Sequence, residues 1–288
     1  VKGKISLITG STSGIGKATA LSLAAKGTIV IIVGRDESKG EAVVGEIKTK
    51  MHNDNIFFEE CDLADQSSIN DFAYRINKNY PKVDLLINNA GCFTEKIQYT
   101  NDGIEAQFGV NHIAHFLLTY LLMPSLNKSE AARIINVSSD AHYQGTINFA
   151  DLYFQQKYSA MKAYAQSKLA NVLFTYELDR KLKANNNNNI TVNALHPGEI
   201  KTRLVEKNNN KLLGVAWKLA KPLMQSVEKG AQTSVFLATN KQMEGISGQY
   251  WSKMKLKKSS KESYDKQVAD RLWTVSRVLC SKYLKEVV

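Results

Sequence analysis

Ile5-Ser6-Leu7-Ile8-Thr9-Gly10-Ser11-Thr12-Ser13-Gly14-Ile15-Gly16-Lys17 is the stretch on which the fold turns. A short apolar run over residues 4–9 gives way to a loop of small residues, and a helical pattern follows through Lys26. This order of strand, glycine loop and helix turns a glycine motif into a phosphate site. Glycines let the backbone turn tightly and approach a pyrophosphate, and the first helical turn offers unpaired N–H groups and a favourable dipole. Gly10, Ser11, Thr12, Ser13, Gly14, Ile15 and Gly16 are therefore the expected cradle. A glycine-rich turn without a ligand is the plainer alternative, and the flanking strand and helix weigh against it.

Outward from this loop, strands and helices keep alternating. The periodicity predicts strands over 28–33, 55–60, 83–87, 133–137, 190–195 and 248–251, and helices over 37–51, 66–79, 103–123, 160–183, 228–239 and 261–284. Such alternation means parallel βαβ units. The expectation is an α/β fold, a doubly wound parallel sheet of about seven strands with helices on both faces, in one domain over residues 1–288. Residues 1–200 form its core, 201–228 an apolar flap containing Trp217, and 253–288 a basic extension with a helix. The asparagine run 185–189 reads as an insertion in a surface loop.

The strand ends carry the chemistry. The second strand closes on Gly34-Arg35-Asp36, where a dinucleotide fold reads the adenosine ribose. A carboxylate at the strand end selects NAD(H), whereas a guanidinium can pair with a 2′-phosphate. Gly34 followed by Arg35 favours NADP(H), with Asp36 read as the start of the next helix. Asp62, after the third strand and before Leu63, is placed either to accept from an adenine amino group or to cap the next helix, as is Asp65. Asn88-Asn89-Ala90-Gly91 closes the fourth strand with residues small enough for the backbone to pass a cofactor. Tyr164 and Lys168 lie four apart on a stretch free of glycine and proline, so they share a helix face. An ammonium beside a phenol favours the phenolate and is expected to lower the tyrosine's pKa toward neutrality, which suits carbonyl/alcohol chemistry.

Composition narrows the rest. Cys61, Cys92 and Cys280 have no metal-like spacing and read as reduced thiols, which places the chain in the cytoplasm or on the cytoplasmic face of an organelle membrane. His112 and His115 share a helix face, but with no cysteine or carboxylate in the pattern they read as packing or surface residues, and no metal is expected. No apolar run approaches a membrane span. The first strand begins almost at Val1, which leaves an upstream anchor undecided. The formal charge is +11, with Lys253, Lys255, Lys257, Lys258, Lys261 and Lys266 clustered late. A solvated basic tail is the plain reading and contact with an acidic membrane surface the next. Nucleic acid is not expected as a partner, because no recognition motif accompanies the charge.

Taken in order, Thr9-Gly-x-x-x-Gly14-x-Gly16, Asn88-Asn89-Ala90-Gly91, Asn111, Ser138-Ser139, Tyr164-x-x-x-Lys168 and His196-Pro197-Gly198 resemble the short-chain dehydrogenases/reductases over essentially the whole chain. Gly34-Arg35-Asp36, Asn111-His112-x-x-His115-Phe116, Ser167-Lys168-Leu169-Ala170-Asn171 and Arg271-Leu272-Trp273 make it most similar to the retinol dehydrogenase-like branch. The resemblance implies a Rossmann fold and an NADP(H)-dependent interconversion of carbonyl and alcohol. Tyr164 would be the general acid in reduction and the base in oxidation, with Lys168 lowering its pKa and holding the nicotinamide ribose. Ser139 would hold the substrate oxygen, and Asn111 a water linking Lys168 to solvent. Asp62, Leu63, Asn89, Ala90 and Gly91 would line the adenine and ribose side, and Pro197, Gly198 and Thr202 the nicotinamide side. Family analogy also implies a homo-oligomer through the helices near 103–123 and 158–184.

Two features depart from the family pattern. Ser139 and Tyr164 are 25 residues apart, which implies an inserted loop over 144–161, and Glu199 puts a carboxylate after Gly198 where the branch has a small or apolar residue. The apolar flap points to a lipophilic substrate, retinoid-, steroid- or lipid-derived, without naming retinal. A catalytically silent NADP-binding regulator is the alternative, and a sugar-nucleotide epimerase a more distant one. The intact tetrad argues against the first and the glycine spacing against the second.

Overall fold

The computed structural model describes residues 1–198 and 226–284. Glu199, Thr202 and the expected flap as far as residue 225 lie outside the described residues. The chain runs β1 (Ile5–Thr9), α1 (Gly14–Ala24), β2 (Ile29–Gly34), α2 (Glu37–Met51), β3 (Ile56–Glu60), α3 (Gln66–Asn79) and β4 (Leu85–Asn88). It continues through α4 (Ala106–Phe108), a π-helical turn (Gly109–Ile113), α5 (Ala114–Leu121), α6 (Met123–Asn127), β5 (Ala132–Val137), α7 (Ala160–Ala184) and β6 (Ile190–His196). After the undescribed stretch come α8 (Val227–Thr239), β7 (Gln249–Ser252), β8 (Lys255–Leu256) and α9 (Lys266–Leu279).

The strands form one sheet in the order β3-β2-β1-β4-β5-β6-β7-β8. All neighbours are parallel except β7 and β8, which are antiparallel. The central strands are apolar at successive positions because both faces are covered. Leu7, Ile31, Val33 and Ile134 face a core built with Phe72 of α3, Phe116 of α5, Leu169 and Leu173 of α7 and Leu272 of α9. Ile8, Val30, Ile32 and Ile87 face the other, with Leu23 of α1, Ile47 of α2 and Leu237 of α8. Each such side chain contributes about 1.5–3 kcal/mol by leaving water.

Four differences from the sequence reading have local causes. The fourth strand starts at Leu85, because the Asp84 carboxylate is spent on the Ile5 N–H (2.9 Å) and the Ser129 hydroxyl (2.6 Å). The helix expected from 103 starts at Ala106, capped by Glu105, whose carboxylate accepts from the N–H groups of Gln107 and Phe108, and it passes through the π turn. The last helix starts at Lys266, where Asp265 caps Gln267 and Val268, and residues 261–264 form a single 3₁₀ turn. The sheet gains an eighth strand, β8.

Candidate active site

The sheet order reverses at β1 and β4, and the loops from their C-terminal ends frame a crevice. Over it lies the glycine loop. Gly14 has φ +56, with nothing within 4 Å of where a Cβ would stand. Ser13 occupies the N-cap of α1 without a side-chain cap bond, and the first turn carries no acid. A helix N-terminus left open in this way, facing free space over a glycine, fits a pyrophosphate. Ser11 serves the fold instead: its buried hydroxyl donates to the Ile8 carbonyl (2.7 Å) and accepts from the Val33 N–H (2.9 Å), tying β1 to β2.

At the end of β2, Asp36 caps α2. Its carboxylate accepts from the Lys39 N–H (3.0 Å) and the Ser38 hydroxyl (2.8 Å) and pairs with the Lys39 ammonium, which holds it far below the usual carboxylate range. Arg35 is exposed and, among the described residues, has no carboxylate partner. A Cβ on Gly34 would lie 2.7 Å from Thr12 Cγ2, so a larger residue there forces Thr12 to move. Beyond β3 the capping question resolves in favour of Asp65, which accepts from Ser67 N–H (2.8 Å). Asp62 instead closes its own turn onto Ala64 N–H (2.9 Å), and Leu63 packs on the core.

Thr9 is a junction that the sequence reading missed. Its hydroxyl accepts from the N–H groups of Asn89 (2.9 Å) and Ala90 (3.0 Å) and lies 2.9 Å from His115 Nε2. The Asn89 amide donates to the Thr9 carbonyl (2.8 Å). His115 Nδ1 lies 3.1 Å from the Asn111 carbonyl. One buried imidazole therefore joins the end of β1 to the π turn that carries Asn111. Burial pushes its pKa down to about 4, so it is neutral. The recurrence of His115 four residues after Asn111 was the available signal. His112 is a packing residue, hydrogen-bonded to Ser276 (2.9 Å).

Asn111, Ser139, Tyr164 and Lys168 meet beside this junction. The Asn111 side chain clasps Cys92, accepting its N–H (2.7 Å) and donating to its carbonyl (3.1 Å), and donates to the Ser167 hydroxyl (3.0 Å). A Cβ on Gly91 would lie 3.2 Å from Asn111 Oδ1 and 3.4 Å from Lys168 Nζ, so the small residue is what lets both groups in. Lys168 Nζ donates to the Val137 carbonyl (3.2 Å) and sits 5.6 Å from the Tyr164 ring centroid. Ser138 is buried and donates to the Lys168 carbonyl (2.7 Å), which leaves Ser139 as the serine beside the phenol. Phe93 stands edge-on to Tyr164 at 5.7 Å.

The expected lowering of the Tyr164 pKa is corrected here. Burial raises it above its ordinary value, with Ser139 opposing. The Lys168 ammonium does not reverse this, and its own pKa is pushed down to about 8 by burial. The loop before Tyr164 is tied down on both sides. Asn148 N–H donates to Gln166 Oε1 (2.8 Å), Gln166 Nε2 donates to the Leu152 carbonyl (2.8 Å), and the Tyr158 hydroxyl meets Gln107 Nε2 at 2.9 Å. On the other flank, Pro197 and Gly198 (φ +97) leave β6 after His196. The His196 imidazole is neutral, pushed down to about 4 by burial, and is held by Asp140 through Nε2 (3.2 Å) and Nδ1 (3.3 Å).

A parallel sheet whose order reverses under a glycine cradle is the architecture of the dinucleotide-dependent α/β oxidoreductases. A family model described as short chain dehydrogenase matches residues 4–213. Retinol dehydrogenase 12 of Mus musculus is 42% identical over 276 residues, covering 96% of this chain and 86% of its own length. Retinol dehydrogenase 13 of Homo sapiens is 43% identical over 285 residues, covering 96% and 84%. A crystal structure of an uncharacterised protein from Mycobacterium paratuberculosis superposes with a TM-score of 0.79 at 33% identity, covering 97% of this chain and 94% of that one. The chain belongs to the short-chain dehydrogenase/reductase family, in its retinol dehydrogenase-like branch. It is an oxidoreductase that acts on CH–OH groups and, as a member of that family, uses a nicotinamide cofactor.

Proposed function

We propose that the chain reduces a lipophilic aldehyde or ketone with NADPH. The observation that carries this reading is the convergence of Ser139, Tyr164 and Lys168 on one point beside Gly91. When bound, the nicotinamide supplies the hydride. Tyr164 gives its phenolic proton to the carbonyl oxygen, to which the Ser139 hydroxyl donates a hydrogen bond. Burial keeps that proton on Tyr164 at neutral pH, as an acid in reduction requires. Lys168 stabilises the phenolate left behind, and Asn111 fixes the Cys92 backbone and the π turn around it.

Exposed Arg35 beside a carboxylate already committed to capping supports the 2′-phosphate. The retinol dehydrogenases among the relatives support a lipophilic substrate. The test is nicotinamide absorbance with NADPH and NADH across aldehydes and ketones of rising chain length. The expected result is turnover with NADPH that improves with lipophilicity and is lost in Tyr164→Phe. Full turnover in that variant, or a preference for NADH, overturns the reading.

A further inference from the structure

At the far edge of the sheet, β7 folds back into β8 through Lys253 and Met254, both in the left-handed region with φ 50 and 60. A two-residue hairpin with positive φ at both positions is the turn that Asn-Gly fills without strain. A lysine and a methionine there are strained, and residues 253–258 are all exposed, Met254 by 41%, where it also borders Val235 and Phe236 of α8, and Leu256 by 61%. These six residues are Lys-Met-Lys-Leu-Lys-Lys, without an acid, and Lys261 follows, also exposed. Among the described residues the only carboxylate partner in this patch is Asp140, 3.2 Å from Lys257. The place matters as well. β7 runs parallel to β6 with Ser252 opposite His196, so the hairpin stands past the end of the sheet that also bears Ser139, Pro197 and Gly198.

We propose that this hairpin docks the catalytic end of the molecule on an anionic phospholipid surface. Lys253, Lys255 and Lys258 lie among the headgroups, and Met254 and Leu256 enter the boundary with the acyl chains. Lysines alone would serve any polyanion. Exposed aliphatic side chains between them gain only where an apolar phase lies under the charge, which a bilayer offers and a nucleic acid does not. Docking stands on the hairpin alone. Its use, delivery of a substrate from the bilayer to the crevice, rests on the lipophilic reading above.

The test is co-sedimentation of the 288-residue chain with vesicles of phosphatidylcholine, alone or with about 30 mol% phosphatidylserine. Binding is expected only with the anionic lipid, weakened when salt rises from about 0.1 M to about 1 M as the Debye length shrinks. Lys255→Gln with Lys258→Gln is expected to weaken partition about 25-fold, roughly fivefold for each lysine. Lys253→Asn with Met254→Gly is expected to melt no lower than the parent, because it relieves the turn, and still to bind vesicles less. Equal binding to both vesicles, unchanged binding in either double variant, or tighter binding to duplex RNA or DNA than to anionic vesicles overturns docking. Turnover of a short, water-soluble aldehyde is expected to be the same in all variants, which separates failure of docking from failure of the catalytic reading.

Discussion

Tyr164, Lys168 and Arg35 make separable demands. Tyr164→Phe removes the proton and little packing, so kcat/KM is expected to fall about 10²–10⁴-fold at an unchanged melting temperature. On the NADPH reading proposed above, Arg35→Gln removes a charge-assisted contact to the 2′-phosphate and leaves a neutral side chain. KM for NADPH is expected to rise about 10–100-fold while NADH kinetics barely move. Lys168 carries a pH signature. Its pKa is pushed down to about 8, so the ammonium is present below that pH and lost above it. The profile of kcat/KM for reduction is therefore expected to be flat below about pH 8 and to fall above it. Lys168→Arg, a cation that does not titrate in this range, is expected to be slower but to lose the alkaline limb.

At the scale of elements, the loop before α7 is held by a close approach. A Cβ on Gly145 would lie 2.6 Å from the Ala165 carbonyl and 3.0 Å from Leu169 Cβ, next to Tyr164 on α7. Gly145→Ala must displace either the loop or the helix. The expected result is a loss of about 1–3 kcal/mol in urea unfolding, and about 10²-fold in kcat/KM if Tyr164 shifts by an ångström. The order strand–glycine loop–helix, the shared helix of Tyr164 and Lys168 and all seven parallel strands were legible, because local pattern and turn chemistry agree there. The π turn at Asn111 was not: nothing in Gly109-Val110-Asn111-His112-Ile113 differs from ordinary helix, and the clasp on Cys92 is tertiary. β8 was hidden because two residues, Lys255 and Leu256, carry no alternation. The direction of the Tyr164 shift depends on burial, which residue spacing does not reveal.

For the whole molecule, burial of neutral imidazoles links stability to pH. His112, His115 and His196 have pKa values pushed down by burial to about 3, 4 and 4. Unfolded, each takes a proton near pH 6.5, so their contribution is fully present above that value and is lost as pH falls toward about 4. Between those limits each histidine contributes a slope of about 1.4 kcal/mol per pH unit. The urea midpoint is expected to fall steadily between about pH 6.5 and 4, and less steeply in His112→Gln.

The strand order has a consequence in time. β1 pairs on one side with β2, which follows it closely, and on the other with β4, where Ser6 faces Leu85 and the Ile5 N–H binds the Asp84 carboxylate 79 residues on. At about 5–20 residues per second, a ribosome leaves that second edge of Ile5–Thr9 without its neighbour for about 4–16 s. Throughout that interval the strand destined for the middle of the protein is an open template whose only polar side chains are the hydroxyls of Ser6 and Thr9, so the nascent chain needs a holding partner most before the mature fold has a middle at all.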